Sequence, residues 1–292
     1  MSATGSTLFI DWSNMMYRAL FVSNRDNPFD EERTSWKRLM MSMMNTTLEK
    51  HPGVDEVVVA GDGENTWRKS IWSGYKAKRS DAKEESPIDF DRFFAIADSF
   101  WDEISGVFRN FKWMKINGVE ADDIVAVLSK KLDRDCICVS TDKDYVQLLA
   151  NPKFHLWSPK ENGWRESLNP KLELGMKIVC GDKSDNIPGI KRGLGPKRAE
   201  KMLTEGALDG LLETDAEANE NYIRNKKLID MSMIPGEVAA KIERAYVDAS
   251  GGELEKNLVW NFVLKNSTGR TSDIPGIVNL WGGMCGGSNL NV

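Results

Sequence analysis

The sequence predicts an α/β protein: a mostly parallel central sheet covered by helices, followed by a helical C-terminal part. Two observations carry this expectation. Short apolar runs alternate with longer segments of helical period across residues 7–157. From about residue 168 the strand signal fades, and helical pattern with glycine turns takes over. The 292 residues are 41 % hydrophobic and 28 % charged, a balance that suits a folded core built without disulfides.

Residues 7–10 (TLFI) read as a buried strand ended by Asp11. Residues 13–22 and 34–50 read as helices, the second marked by Leu39, Met40, Met43, Met44 and Leu48 at helical spacing. Residues 54–60 form the second strand, followed by Gly61-Asp62-Gly63. A basic, tryptophan-containing stretch without clean period then runs to Pro87. Residues 88–108 are helical, with Phe90, Phe93, Phe94, Ala97, Phe100, Trp101 and Ile104 on one face. The pattern continues with a strand at 111–116, a helix at 120–132, a strand at 136–140, a short helix at 143–149 and a strand at 153–157. The expected division is an α/β domain over 1–167 and a helical part over 168–265. The glycine-rich tail, 266–292, is expected to be flexible.

Several chemistries are excluded early. The four cysteines form no C-x-x-C pair and there are only two histidines, His51 and His155, so zinc sites and histidine-based nucleophilic catalysis are hard to build. No apolar run approaches the roughly 20 residues of a membrane span, and the N-terminus lacks a signal pattern, so a cytoplasmic location is expected. The net charge of −5 disfavours a polyanionic partner on average. Locally the picture reverses. Residues 67–83 hold Arg68, Lys69, Lys76, Lys78, Arg79 and Lys83 against Asp81, and residues 191–201 hold Lys191, Arg192, Lys197, Arg198 and Lys201 against Glu200.

The acids fall at the ends of strands. Asp11 ends the first and Asp62 follows the second. Glu120, Asp122 and Asp123 follow the third, and Asp142 and Asp144 the fourth. Asp182 and Asp185 open the helical part. In a parallel sheet the carboxyl ends share one edge, where ligands bind. Any one of these acids also reads as a helix cap or turn residue. Together they cannot be neutral to stability. Two carboxylates ~4 Å apart repel by about 4 kcal/mol at an effective dielectric near 20, against a total stability of about 5–15 kcal/mol. Such a cluster requires bound cations or protons. An all-oxygen set without histidine or cysteine points to Mg²⁺, for which Mn²⁺ can substitute. Two such ions suit phosphodiester cleavage, with the basic flanks holding the polyanion. Lys76 and Arg79 are then candidates for contacting the reacting phosphate, and Tyr75 or Trp72 for stacking on a base. The turn Gly193-Leu194-Gly195 before a helix carrying Lys197 and Arg198 is a candidate phosphate-binding hairpin.

Together, Gly118-Val119-Glu120-Ala121-Asp122-Asp123, Ser140-Thr141-Asp142-Lys143-Asp144 and Gly181-Asp182-Lys183-Ser184-Asp185-Asn186-Ile187-Pro188-Gly189 resemble the motifs of the 5′ nucleases. This is the family of flap endonucleases and polymerase-associated 5′-3′ exonucleases. Trp67-Arg68-Lys69, Tyr75-Lys76 and Arg79 extend the resemblance, and Leu156-Trp157-Ser158-Pro159 is most similar to the ribonuclease H branch of T-even phages. The resemblance spans about residues 7 to 265.

It implies a PIN-like fold and Mg²⁺-dependent cutting of 5′ flaps, 5′ ends or RNA–DNA primers in DNA replication or repair. It implies one metal site around Asp11, Asp62, Glu120, Asp122, Asp123 and Asp142, and a second around Asp144, Asp182 and Asp185. Lys76, Arg79 and Asp142 take the catalytic positions. Arg68, Lys69, Tyr75, Lys76, Arg79, Gly193, Gly195, Lys197 and Arg198 take the DNA-binding ones. A basic arch at about 64–87 and a helix-hairpin-helix at about 185–204 are implied. The hairpin would grip duplex DNA, with K⁺ as its expected monovalent cation, although Lys191–Gly195 is one residue longer than the family spacing. The implied partners are branched or nicked DNA and RNA–DNA hybrid, with a sliding clamp or single-strand binding protein, and the protein itself is expected to be a monomer without a membrane partner. The other readings weighed are a non-catalytic DNA-binding scaffold and a single-strand ribonuclease of related fold.

Overall fold

The computed structural model describes residues 5–26, 30, 32–249, 252, 254–266 and 274–283. Six strands form one sheet: β1 (Ser6–Asp11), β2 (Glu56–Gly61), β3 (Lys112–Lys115), β4 (Asp135–Val139), β5 (Phe154–Ser158) and β6 (Gly163–Arg165). Their order is β3-β2-β1-β4-β5-β6, with the first five parallel and β6 antiparallel to β5. The chain builds outward from β1 through β2 to β3, then returns to the other side of β1 as β4. The order therefore reverses between β1 and β4, the place where parallel sheets open a crevice at their carboxyl ends. Ile10 pairs in register with Val139, which sets Asp11 and Ser140 side by side at that crevice.

Strand alternation divides the core. Leu8, Ile10, Val57 and Val59 face α1 (Trp12–Asp26), α2 (Thr34–Lys50) and α5 (Phe90–Val107), among Trp36, Met40, Met44, Phe93 and Phe100. Phe9, Val58 and Ala60 face α6 (Ala121–Lys131), among Ile124, Val125 and Leu128. Near-continuous apolar strands such as β2 are what a sheet covered on both faces demands.

The basic stretch, which shows no period in sequence, contains two short helices, α3 (Arg68–Ile71) and α4 (Lys78–Glu84). The C-terminal half continues through α7 (Pro170–Cys180), α8 (Pro196–Thr204), α9 (Leu208–Thr214), α10 (Ala216–Ile229), α11 (Gly236–Asp248), α12 (Lys256–Asn266) and α13 (Ile274–Gly283). Its helices pack in two ways. The α7, α8 and α10 helices build small cores of their own around Ile178, Ile187, Leu228, Val179, Ile190 and Ala199. By contrast, Val238 and Ile242 of α11 join the α6 side of the sheet, and Val259, Phe262 and Val263 of α12 join the α2–α5 side.

The expected flexible tail is corrected in part. Residues 274–283 form α13, whose Trp281 is fully buried, packs its ring 4.5 Å from that of Phe108 at a tilt of 48° and donates to Asn45 at 3.1 Å. Burying an indole fixes this segment, which its glycines had made to look loose. Residues 267–273 and 284–292 of that tail lie outside the described residues. Among the described residues no helix is long and apolar enough to cross a membrane.

Candidate metal centre and nucleic-acid interface

Asp11 stands at the crevice between β1 and β4. It accepts from the Asn14 amide at 3.0 Å, the Ser140 hydroxyl at 2.9 Å and the Tyr145 phenol at 3.2 Å. Burial pushes its carboxyl up to about 7, and the nearby charges of Asp62 and Asp142 push the same way. Asp62 follows β2; its backbone N–H donates to Ser13 at 3.1 Å, and its carboxylate accepts from the Ala121 amide at 2.8 Å. That bond seats an acid on the first turn of α6, where the helix dipole favours negative charge.

Glu120 precedes α6 and is the best-held acid of the group. Thr66 donates to it at 2.9 Å, Arg68 at 2.6 Å, Tyr75 at 3.1 Å, and Lys76 also contacts it. Burial alone would raise its pKa, but Lys76 and Arg68 outweigh this and hold it at about 2. Asp122 lies on the cleft side. Burial first, then Asp123 and Glu120, push it well above the usual carboxylate range against the pull of Arg68. Its buried Oδ1 has no hydrogen-bond partner, with Arg68 the cation nearby at 3.8 Å, and an oxygen left so suits a metal ion.

A second group gathers on the far side of the cleft. Ligand-type oxygens of Asp144, Asp182 and Asp185 lie within 4.8 Å of one another, as do those of Glu120, Asp122 and Asp123. The Asp182 segment is folded back on itself. Gly181 has φ +73°, and a Cβ there would lie 2.3 Å from the Ile187 carbonyl, so only glycine closes this turn. Asp182 and Ile187 then pair through both backbone bonds, at 2.9 and 2.7 Å. Asn225 of α10, fully buried, donates to the carbonyls of Ile178 at 3.0 Å and Pro188 at 2.8 Å and fixes the same loop. Lys177 bridges Asp144 and Asp182. Burial would raise Asp182, but Lys177 and Ser184 hold it at about 2.

One cavity of about 290 Å³ is lined by Asp11, Asp62, Glu120, Asp122, Asp142, Asp144 and Asp185, with Lys76 and Arg79 in its wall. A second, of about 470 Å³, continues from Asp142 and Asp144 to Asp182 and Lys177. Eight of the nine predicted acids thus line this connected cleft.

Asp123 differs. It belongs to the Glu120 group but is fully buried and lines neither cavity. It accepts from the Trp67 indole at 2.9 Å, from Arg68 at 3.1 Å and from the Glu120 amide at 3.1 Å, so it orients Glu120 and Arg68 from behind.

The basic residues divide. Arg68 and Tyr75, expected to touch DNA, are buried instead. Arg68 lies under the acids with Nε on the Leu228 carbonyl at 3.0 Å, and Tyr75 directs its hydroxyl to Glu120 and, at 3.3 Å, to Asp185. The physical reason is the same for both: buried carboxylates need internal donors. Lys76 and Arg79 do face the cleft, paired with Glu120 and Asp185. Lys76 adopts φ +55°, and its backbone N–H donates to the Asp185 carbonyl at 2.9 Å, which ties the basic stretch to the second acidic group. Lys69, Gly193, Gly195, Lys197 and Arg198 are exposed and line neither cavity. Gly193 has φ +85°, and Arg198 reaches back to its carbonyl at 3.1 Å, closing the hairpin before α8.

The sequence reading missed the face of α1. Asn14, Tyr17, Arg18 and Phe21 recur at helical spacing and line the same cavity as Lys76. Their signal was present: the other face of that helix, with Met15, Met16, Ala19 and Leu20, is buried in the core.

The residues match known proteins in the same terms. The family described as the 5′-3′ exonuclease N-terminal resolvase-like domain matches residues 6–172. Ribonuclease H of enterobacteria phage T4 is 29 % identical over 69 % of this chain and 73 % of its own length. A 5′-3′ exonuclease of Buchnera aphidicola is 26 % identical over 67 % of this chain and 69 % of its own. The thermostable DNA polymerase I of Thermus thermophilus is 29 % identical over 76 % of this chain, which spans only 27 % of that polymerase's length.

Among solved structures, the bacteriophage T5 flap endonuclease in complex with DNA and metal ions has a TM-score of 0.68 at 19 % identity, covering 84 % of this chain and 98 % of its own. Human GEN1 with Holliday junction DNA has a TM-score of 0.51 at 14 % identity, over 95 % of this chain and 71 % of its own. At those identities the likeness is one of fold. The family match, covering more than half of the chain including the four strand-end acidic segments, establishes membership: this chain belongs to the 5′-3′ exonuclease family.

Proposed function

We propose that the protein is a structure-specific 5′ nuclease that uses Mg²⁺ to hydrolyse phosphodiesters of 5′ flaps and RNA primers. The observation that carries this reading is the connected cleft at the β1/β4 crevice, lined by acids from five chain segments with Lys76 and Arg79 in its wall.

The residues fit a hard divalent cation. The donors are all carboxylate oxygens, Asp122 carries an orphaned oxygen, and Asp11 is driven toward protonation by burial beside Asp62 and Asp142. Asp11, Asp62, Glu120, Asp122 and Asp142 would hold one ion, and Asp144, Asp182 and Asp185 the other. Bound there, the ions supply Lewis acidity toward the phosphate and offset charge on the leaving oxygen.

The chain's own residues do the rest. Lys76 and Arg79 offer cations to a phosphate entering the cleft, where low dielectric strengthens them. The exposed hairpin presents Lys197, Arg198 and the glycine-flanked N-terminus of α8 to a duplex backbone, with K⁺ as its monovalent cation. A scaffold that had lost catalysis would have no need to retain eight acids in one cleft.

A 5′-labelled flap, a nicked duplex and an RNA–DNA hybrid, each with and without Mg²⁺, test the reading. Cleavage that requires Mg²⁺ and disappears in Asp142→Asn, with flap binding retained, is expected. Wild-type protein that binds the flap and cuts none of the three overturns it.

A further inference from the structure

Lys177, on the third turn of α7, places its ammonium against both Asp144 and Asp182, the latter at 2.7 Å. With Asp185 these acids form the second oxygen group. A monovalent side-chain charge thus sits among the oxygens assigned above to a divalent ion.

The first group is built differently. It holds two cations: Lys76 also pairs with Glu120, while Arg68 is buried and anchored to the Leu228 carbonyl, so withdrawing Arg68 would strand buried donors and acceptors. Lys177 carries no such anchor. Its side chain is 28 % exposed and borders the 470 Å³ cavity, which leaves a flexible stem open space to move. The same cavity is lined by Glu173, four residues earlier on α7, which accepts from Ser167. Glutamate four residues before lysine is the favourable order for a helix ion pair. Helix spacing thus sets a second carboxylate, Glu173, one turn from Lys177 beside the same cavity.

We propose that Lys177 is an internal competitor for the second metal position, holding Asp144 and Asp182 in the metal-free chain and turning to Glu173 when a divalent ion enters. The inference rests on the nuclease reading. It makes the two positions unequal: the Glu120–Asp122 side fills first, and the Asp144–Asp182 side fills only at higher ion concentration.

Manganese binding to the full chain without nucleic acid, read by electron paramagnetic resonance of the free ion, tests this. Wild type is expected to show a tight and a weak class of site. Lys177→Met should tighten the weak class about tenfold, a typical coupling between two sites, and leave the tight class in place. Glu173→Gln, which leaves the eight acids assigned to the two metal positions intact, should weaken the weak class about twofold through loss of the alternative helix pair. A weak class that is unmoved or weakened in Lys177→Met overturns the proposal. If that variant does not fold, an unmoved weak class in Glu173→Gln overturns it. Wild type that binds no manganese at all overturns the nuclease reading itself, a result distinct from either.

Discussion

Arg68 lies beneath the acidic cleft with its guanidinium 2.6 Å from Glu120 and 2.8 Å from Asp123, and only 3 % of its side chain is exposed. Removing it would leave Asp123 without its cation and Glu120 with Lys76 alone. Arg68→Met is expected to lower unfolding free energy by about 3–5 kcal/mol, the usual cost of breaking a buried pair. Lys69→Ala, one residue along and exposed, should change it by less than about 0.5 kcal/mol. Urea denaturation of both variants checks this, and equal small effects would show that Arg68 is not structural.

Asp11 makes a pH prediction at the same scale. Its folded pKa is raised from 3.8 to about 7, so between those values the folded state keeps a proton that the unfolded chain releases. Stability of the metal-free protein should therefore fall as pH rises from 5 to 7 (about those limits). Asp122 is shifted in the same direction, whereas Glu120 and Asp182, held at about 2, have already given their full contribution above pH ~5. Denaturation in chelator across that range should show the decline in wild type and a shallower one in Asp11→Asn. A flat or rising wild-type profile would contradict the assignment.

At the scale of elements, α13 and the hairpin before α8 carry the predictions. Trp281→Ala should destabilise the protein by about 3–5 kcal/mol, as deletion of a fully buried aromatic does. A melting temperature that does not move would mean that α13 does not close the core. For the hairpin, Lys197→Ala should weaken duplex binding uniformly across sequences and lower the salt slope by about 1. An unchanged slope, measured by titration at several salt concentrations, would remove the hairpin from the DNA contact surface.

These elements also show what the chain makes legible. The strands announced themselves because a sheet buried on both faces needs unbroken apolar runs, and Asp11, Asp62, Asp142 and the Glu120 motif could be placed because each follows such a run. β6 escaped because three residues, Gly163-Trp164-Arg165, carry no period. The α13 helix escaped because glycine content argued against order while a single buried indole, invisible as such in sequence, argued for it. Arg68 and Tyr75 were misplaced for a related reason. Charge and aromaticity signal nucleic acid only when a side chain is outward, and the demand of Glu120 for internal donors turned these two inward.

At the scale of the molecule, one sheet explains why acids so far apart in sequence meet. Reversal of strand order at β1 and β4 opens the crevice, and parallel strands deliver Asp11, Asp62, Asp142 and the Glu120 motif to the same edge. The α7–α10 helices then close the open side with Asp182 and Asp185, tied to the basic stretch through the Lys76–Asp185 backbone bond. Gathering so much like charge opposes folding unless cations complete it. Diffraction from manganese-soaked crystals at the manganese absorption edge tests this most directly. Anomalous peaks are expected between Asp11, Glu120 and Asp122 and between Asp144, Asp182 and Asp185. Full soaking with no peak among these oxygens would contradict it.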